Sequence, residues 1–419
     1  AEQSGLLSAL VRAMVTKVSA KMLTFVVALA GVTGSVASDA IYVILIPLGA
    51  MAFHAVGRSP IVGAMVAFAA SSAGFNASLI LNITDLLLAG ISTPAAQFVD
   101  PEYEVSPLAN IFFVIPSAIV LSLIAGFIID KILEPRLRKL GVPDAMVEGD
   151  DGMSRDRDGN EISAELAPNE RRGLRATLWA TLVLTIITVV AVLIPNSPWR
   201  NEDGGFLPDS PLMESSVFLV VMYFVVMGLA YGAAAGTVKS VTDMTDMMGE
   251  AMKDMIGFLI LAFILGQFIA LFNWSGIGTF TAVKGAQVLE SAGISGFGAI
   301  VAFVVLASCL NLLIISGSAL WTLMASVFVP MFALLGFDPA FVQAAYRVGD
   351  SATQIITPLN PYIIVVLSQL RRYEPKAGVG TLMSRLIVFT VPFWLFWLAL
   401  LFVWYQFDLP LGPGSSIFL

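Results

Sequence analysis

DSATQIITPLNP, residues Asp350–Pro361, interrupts an apolar stretch that begins at Pro339 and resumes as far as Leu370. Its prolines lack the N–H that a helix interior needs, so the segment cannot cross a bilayer as one unbroken helix. A second stretch of similar character, SSAGFNASLILN (Ser71–Asn82), interrupts the run Ser59–Thr93. Non-helical backbone at membrane depth is tolerated only where it is buried in protein or lines a polar cavity. Each break therefore marks a place where the chain meets something other than lipid.

That the breaks lie in a membrane follows from composition. The chain has 419 residues, 58% apolar and 12% charged, with a mean hydropathy of +0.88. Soluble domains run nearer half apolar and about a quarter charged. Unbroken runs such as Phe112–Ile129, Leu182–Ile194 and Phe389–Trp404 predict helical spans, since barrel strands would alternate every second residue. The formal net charge of −8 is confined to loops and identifies no partner. There is no basic face for nucleic acid. No Gly-rich loop ending in Lys-Ser/Thr is present for nucleotide-driven pumping, and no HExxH or GxSxG for enzymatic chemistry. No cofactor and no metal are implied. The single cysteine, Cys309, lies in an apolar run and is expected as a buried thiol.

One pair of apolar segments is too short to span. Met22–Val32 and Ala40–Phe53 hold about 11–14 residues each where a span needs roughly 20, and TGSVASD (Thr33–Asp39) separates them. The shape recurs as Phe297–Ile315, SGSALWT (Ser316–Thr322) and Leu323–Leu335. Both predict re-entrant hairpins. The intervals match: Gly34-Ser35 precedes Pro47 as Gly317-Ser318 precedes Pro330, and Pro60 precedes Ser72-Ala73 as Pro339 precedes Ser351-Ala352. Nearly all of the 22 Lys and Arg fall in the N-terminal segment, at Arg58, between Lys131 and Arg175, at Lys239 and Lys253, and between Arg371 and Arg385. Placing these loops in the cytoplasm satisfies the positive-inside rule. The first hairpin then enters from the cytoplasm and the second from outside, so the repeats are inverted.

The expected fold class is an all-α integral membrane protein, an inverted-repeat secondary transporter with two re-entrant hairpins and two broken helices. The first half, 1–134, holds hairpin 22–53, broken helix 59–93 and span 108–131. A cytoplasmic loop (135–173) and scaffold helices (174–275) follow. Then come hairpin 297–335 and broken helix 339–370 within 276–370, and a last span with a periplasmic tail in 371–419.

Ionisable residues at membrane depth are expensive and default to functional candidates. Here they are Asp39, Asp85, Arg347 and Asp350. Arg347 and Asp350 stand three apart on one helix face and either neutralise each other or act separately, Arg347 on an anionic substrate group and Asp350 on a proton or cation. Asp39 caps the following helix or joins the site. Asp85 is a relay carboxylate or a buried acceptor. Helices returning from the hairpin tips present positive dipole ends to an anion, with the hydroxyls of Ser35, Ser316 and Ser318 beside them. Trp321 either stacks on an aromatic ring or packs. Asn82, Asn311 and Asn360 are amides near the breaks that can orient polar ligand groups. His54 reads as interfacial, and Gly228, Gly232 and Gly236 as a close helix-packing face.

Several stretches resemble one family. AEQSGL at the start, SDAIYVILIPLGA (Ser38–Ala50), GLAYGAAAGTVKS (Gly228–Ser240), GQFIALFNWSGIG (Gly266–Gly278), ISGSALW (Ile315–Trp321) and PAFVQAAYRVGDSATQIITPLNPY (Pro339–Tyr362) are similar to the AbgT family of p-aminobenzoyl-glutamate transporters. The resemblance covers essentially the whole chain. It implies a bowl-shaped homodimer in a bacterial inner membrane, with nine spanning helices and two hairpins per subunit. Seven full spans are legible here, so the family's N-terminal spans are expected to precede AEQSGL. Carried over by motif, the functional positions would be Trp321, Pro339, Arg347, Asp350 and Pro358, with Ser318 and Asn311 nearby. Asp85 is the first choice, and Asp100 the second, for an aspartate of the first half. The implied activity is proton-coupled transport of aromatic carboxylates of the p-aminobenzoate type, either import or export of sulfonamide antimetabolites. A sodium-coupled carboxylate transporter and an anion channel stand as alternatives.

Overall fold

The structure, a computed structural model, describes residues 3–15, 18–37, 40–139, 166–195, 197–201, 204, 206, 210–291, 293 and 295–419. Asp39 and residues 140–165 lie outside them. Apart from two isolated β-bridges, the described regular elements are helical. Among the described residues, five helices are long and apolar enough to cross a membrane. In chain order the first eight are α1 (Leu6–Val15), α2 (Leu23–Thr33), α3 (Ala40–Ala55), α4 (Pro60–Gly74), α5 (Ile83–Ala96), α6 (Ile111–Ile128), α7 (Glu134–Lys139) and α8 (Pro168–Leu193). There follow α9 (Pro211–Glu214), α10 (Ser216–Ala235), α11 (Val241–Trp274), α12 (Ile277–Ser291), α13 (Phe297–Asn311), α14 (Gly317–Leu334), α15 (Pro339–Ala352), α16 (Ile363–Arg371) and α17 (Val379–Phe407).

The chain forms two compact units, one of residues 1–13 and 165–264, the other of residues 14–164 and 265–419. In the first, α8 packs along α10, and Leu6, Ala9, Tyr231 and Ala235 form a small core. Most of the apolar surface of α8 is exposed, as a helix facing lipid requires. The glycine series on α10 is not a helix-packing face along its whole length. Gly236 is the helix C-cap at φ 81°, a left-handed conformation that glycine adopts without steric cost.

The second unit is organised around α4 and α15, every residue of which is buried. The pair α2 and α3 packs on α4, and the pair α13 and α14 packs on α15. The contacts also cross over: α14 lies against α5, and α3 against α16. The approach of α3 to α4 depends on two glycines, because a Cβ on Gly63 would sit 2.2 Å from the Gly49 carbonyl oxygen. No larger residue permits that spacing, and close backbone approach is how membrane helices gain packing energy. α6 and α17 pack together beside them.

Three expectations are corrected. SGSALWT is not the turn of the second pair: Ser316 is the N-cap of α14, its side chain accepting the Ala319 N–H. α14 thus runs 18 residues from Gly317 and is not short. The polar loop 135–173 is narrower, since α7 carries the chain to Lys139 and α8 begins at Pro168. After Lys239 the chain enters α11, which runs without interruption from Val241 to Trp274. Cys309 is exposed, not buried, because α13 turns its Asn311 and Ser308 face inward.

Candidate functional site

The chain leaves α4 at Gly74 and re-enters helix at Ile83. It leaves α15 at Ala352, makes a 3₁₀ turn over Thr353–Ile355, and re-enters at Ile363. Between these two breaks lies a cavity of about 410 Å³. The helix starts crowd it. Ile41 and Tyr42 of α3, Ile83 and Thr84 of α5, Ser316 and Gly317 of α14, and Pro361 and Tyr362 before α16 all line it. First-turn N–H groups are the unsatisfied, positive end of a helix. Four such ends meet at one cavity, two of them capped in part by Asn82 and Ser316, and among the described residues no charged side chain lines it.

Behind this wall α15 carries the buried charges. Arg347 is 1% exposed, and its Nη1 lies 2.7 Å from Asp85 Oδ1 on α5. Arg347 also donates to the Asn76 carbonyl at 3.3 Å and to Gln343 Oε1 at 3.4 Å. Asp85 in turn closes a capping box with Asn82, its Oδ2 accepting the Asn82 N–H while Asn82 Oδ1 accepts the Asp85 N–H. Asp85 is therefore an ion-pair partner and a helix-start acceptor together. The neutralising pair is Arg347–Asp85 and not Arg347–Asp350.

Asp350 is fully buried and faces neutral groups. Asn76 Nδ2 donates to its Oδ2 at 3.1 Å and to Ser351 Oγ at 2.8 Å. The Tyr346 hydroxyl reaches both Asp350 and the Gly317 carbonyl, the latter at 2.5 Å. The Asn311 amide bonds the Asp350 carbonyl oxygen and Thr353 Oγ1. Asp350 Oδ1, Asn76 Oδ1 and Asn311 Oδ1 are buried without a hydrogen-bond partner. Only a glycine separates Asp350 from the cavity wall: a Cβ on Gly317 would lie 2.8 Å from Asp350 Oδ2 and 3.0 Å from Phe75 Cε2.

The remaining expected residues divide into those at the cavity and those away from it. Ser35, Ser316 and Asn360 line it, and Asn82 Nδ2 donates to Ser35 Oγ at 3.0 Å. Ser318 sits beside Ser316. Trp321 does not line the cavity. It is fully buried, donates to Ser92 Oγ at 2.9 Å, and has Tyr346 against its ring at 4.5 Å. Pro339 opens α15, about 16 Å from Asp350 at helical rise. Pro358 is exposed in the second break. Asp100 is exposed and accepts the Glu102 N–H, apart from the buried cluster. His54 is exposed at the end of α3.

Sequence reasoning missed Tyr42, Phe75, Tyr362 and Gln354 on the cavity wall, and Asn76, Gln343, Ser92 and Tyr346 behind it. Gln343 carried a usable signal, one helical turn before Arg347 on the same face. Ser92 carried none, because its role comes from Trp321 and Gln343 both donating to one hydroxyl.

Comparison with known proteins agrees with this architecture. The chain is 39% identical over 414 residues to the p-aminobenzoyl-glutamate transport protein of Escherichia coli K12, covering 99% of this chain and 78% of that protein. It superposes on the Alcanivorax borkumensis YdaH transporter with a TM-score of 0.89 at 38% identity, over 98% of this chain and 84% of that one. It superposes on Neisseria gonorrhoeae MtrF, described among antimetabolite efflux pumps, with a TM-score of 0.88 at 37% identity, over 99% and 80%. The profile described as "AbgT putative transporter family" matches residues 1–419. An all-helical membrane architecture and a full-length match make this chain a multi-pass membrane transporter, not an enzyme, that belongs to the AbgT family.

Proposed function

We propose that the protein is a secondary active transporter that carries an aromatic carboxylate of the p-aminobenzoyl-glutamate class across the bacterial inner membrane. Four helix starts converging on a cavity whose described lining residues are all uncharged carry this reading. They offer main-chain donors and dipole ends to a carboxylate. Alternating access fits the two repeats, whose helix pairs pack on α4 and α15 in corresponding ways. In this reading α2–α3 and α13–α14 are hairpins inserted from opposite sides. The relatives' names supply the substrate class, and the family resemblance supplies the homodimer. Cross-linking in native membranes would detect it.

The coupling ion is a proton carried by Asp350. Asp85 already has a cationic partner, whereas the carboxylate of Asp350 faces Asn76 and Tyr346 and keeps one oxygen unpaired. A proton on that oxygen neutralises the group and lets it donate. Arg347 and Asp85 hold the two broken helices together. A second reading, sodium coupling, is favoured by the unpartnered oxygens of Asp350, Asn76 and Asn311, the ligand type that a hard cation takes. Flux of radiolabelled p-aminobenzoyl-glutamate in proteoliposomes, under separate pH and sodium gradients, tests both. Uphill flux with the pH gradient alone supports the proton. A strict sodium requirement replaces it with sodium, and no flux from folded protein under either gradient refutes the substrate class.

A further inference from the structure

The resemblance and the sequence both direct attention to Trp321 as the ring-binding residue, yet both its faces and its N–H are used within the protein. It is 0% exposed, packed against Tyr346, and bonded to Ser92. A ligand ring meets it only after the core around α15 has opened. The cavity has other aromatic surface. Tyr42, at the start of α3, and Tyr362, just before α16, both line it, and their rings are parallel within 4° at a centroid distance of 4.2 Å. Phe75, in the first break, lines it too. All three are half-buried, so each keeps surface available to a guest.

The parallel geometry is informative. Parallel rings whose centroids are 4.2 Å apart are farther apart than the contact distance of about 3.5 Å between ring planes, so the stack is offset, an arrangement that aromatic pairs favour. Here the rings are held from both ends, with the Tyr42 hydroxyl donating to the Ser71 carbonyl at 3.3 Å and the Tyr362 N–H donating to Asn360 Oδ1 at 3.0 Å. The pair forms a flat wall that reaches from one repeat to the other. The same cavity also has polar lining, from Ser35, Ser316 and Gln354. A planar aryl ring that extends the stack leaves its carboxylates toward the helix starts.

From this we infer that Tyr42 and Tyr362 form the aryl-ring subsite and set the preference for aromatic over aliphatic carboxylates. This inference rests on the substrate class proposed above. A ring stacked on this wall gains an aromatic contact that an aliphatic ligand lacks, and such contacts correspond to roughly three- to tenfold in affinity.

The test compares two probes on the purified full chain, p-aminobenzoyl-glutamate and N-acetylglutamate, which share the carboxylates and differ in the ring. Tyr42→Leu and Tyr362→Leu are expected to raise the Kd of the aromatic probe by about three- to tenfold while the aliphatic probe stays within about twofold. Tyr42→Phe and Tyr362→Phe, which keep the rings and lose only the hydroxyls, are expected to keep the ratio of the two Kd values within about twofold of the wild-type ratio. Equal losses for both probes would make the pair structural and overturn the inference. So would an unchanged ratio in the leucine variants, or a selective loss of the aromatic probe in a folded Trp321→Leu variant. Those results leave the substrate class standing. A wild-type protein that binds neither probe refutes the substrate class and the subsite together.

Discussion

Arg347 and Asp85, far apart in the chain, meet at 2.7 Å in the interior of the second unit and tie α15 to α5. Each belongs to a different broken helix, and each has further partners that fix its orientation. Removing one member of a buried pair leaves the other charge uncompensated, at a cost of roughly 3–5 kcal/mol. Arg347→Ala is therefore expected to lower the thermal stability of the detergent-purified protein strongly. The double variant Arg347→Gln/Asp85→Asn is expected to recover most of the loss. Melting curves for the two single variants and the double variant measure the coupling, and strictly additive losses would refute it.

Asp350→Asn keeps the shape of the side chain and removes its capacity to gain and lose a proton. Uphill flux driven by a pH gradient is expected to vanish in this variant, while exchange of substrate across the membrane continues at the wild-type order of magnitude. Counterflow and gradient-driven uptake in the same proteoliposomes separate the two. Retained uphill flux would remove Asp350 from the coupling.

Gly317→Ala places a methyl group 2.8 Å from Asp350 Oδ2 and 3.0 Å from Phe75 Cε2. Asp350 cannot retreat without losing Asn76, and overpacking of this kind costs roughly 1–3 kcal/mol. Transport is expected to fall about tenfold or more with the protein still folded, because the start of α14 moves off the carboxylate. Initial rates at saturating substrate, normalised to protein that elutes as a single peak, give the answer. A wild-type rate would show that the contact does not matter.

Asp338 lies outside the spanning helices, where it caps α15 by accepting the Ala340 N–H and a 2.8 Å hydrogen bond from Tyr103. Burial raises its pKa above the usual carboxylate value of 3.8, against those hydrogen bonds. A raised carboxyl pKa means that the folded state holds the proton more tightly than the unfolded one. The favourable contribution is present at low pH and is lost as pH rises through the folded pKa. Asp338→Asn keeps an accepting oxygen for the cap and is expected to flatten this part of the stability–pH curve. Unfolding midpoints across the acid range check it; an unchanged slope would assign the dependence elsewhere.

The breaks were legible in the sequence because proline, asparagine and small polar residues are conspicuous in an apolar run. The buried charges were legible for the same reason. What their spacing could not reveal was pairing. Arg347 and Asp350 share a helix face, yet the shorter distance is to Asp85 on another helix, which only tertiary packing brings near. Trp321 illustrates the same limit, since a tryptophan at a tip is equally able to face a ligand or a core. Tyr42 and Tyr362 went unnoticed because a tyrosine in an apolar run has no contrast with its neighbours. The extent of α14 was misjudged because Gly317 and Ser318 look like turn residues, whereas Ser316 ahead of them starts the helix.

The convergence of four helix starts on one cavity has a bearing on how such a protein evolves. On the proposed reading, a carboxylate held by main-chain dipoles depends on the backbone trace more than on any one side chain. Side chains on the wall can drift and admit new compounds while the demand for an anion is inherited intact. A transporter built in this way would widen its range of guests without first giving up the carboxylate it binds.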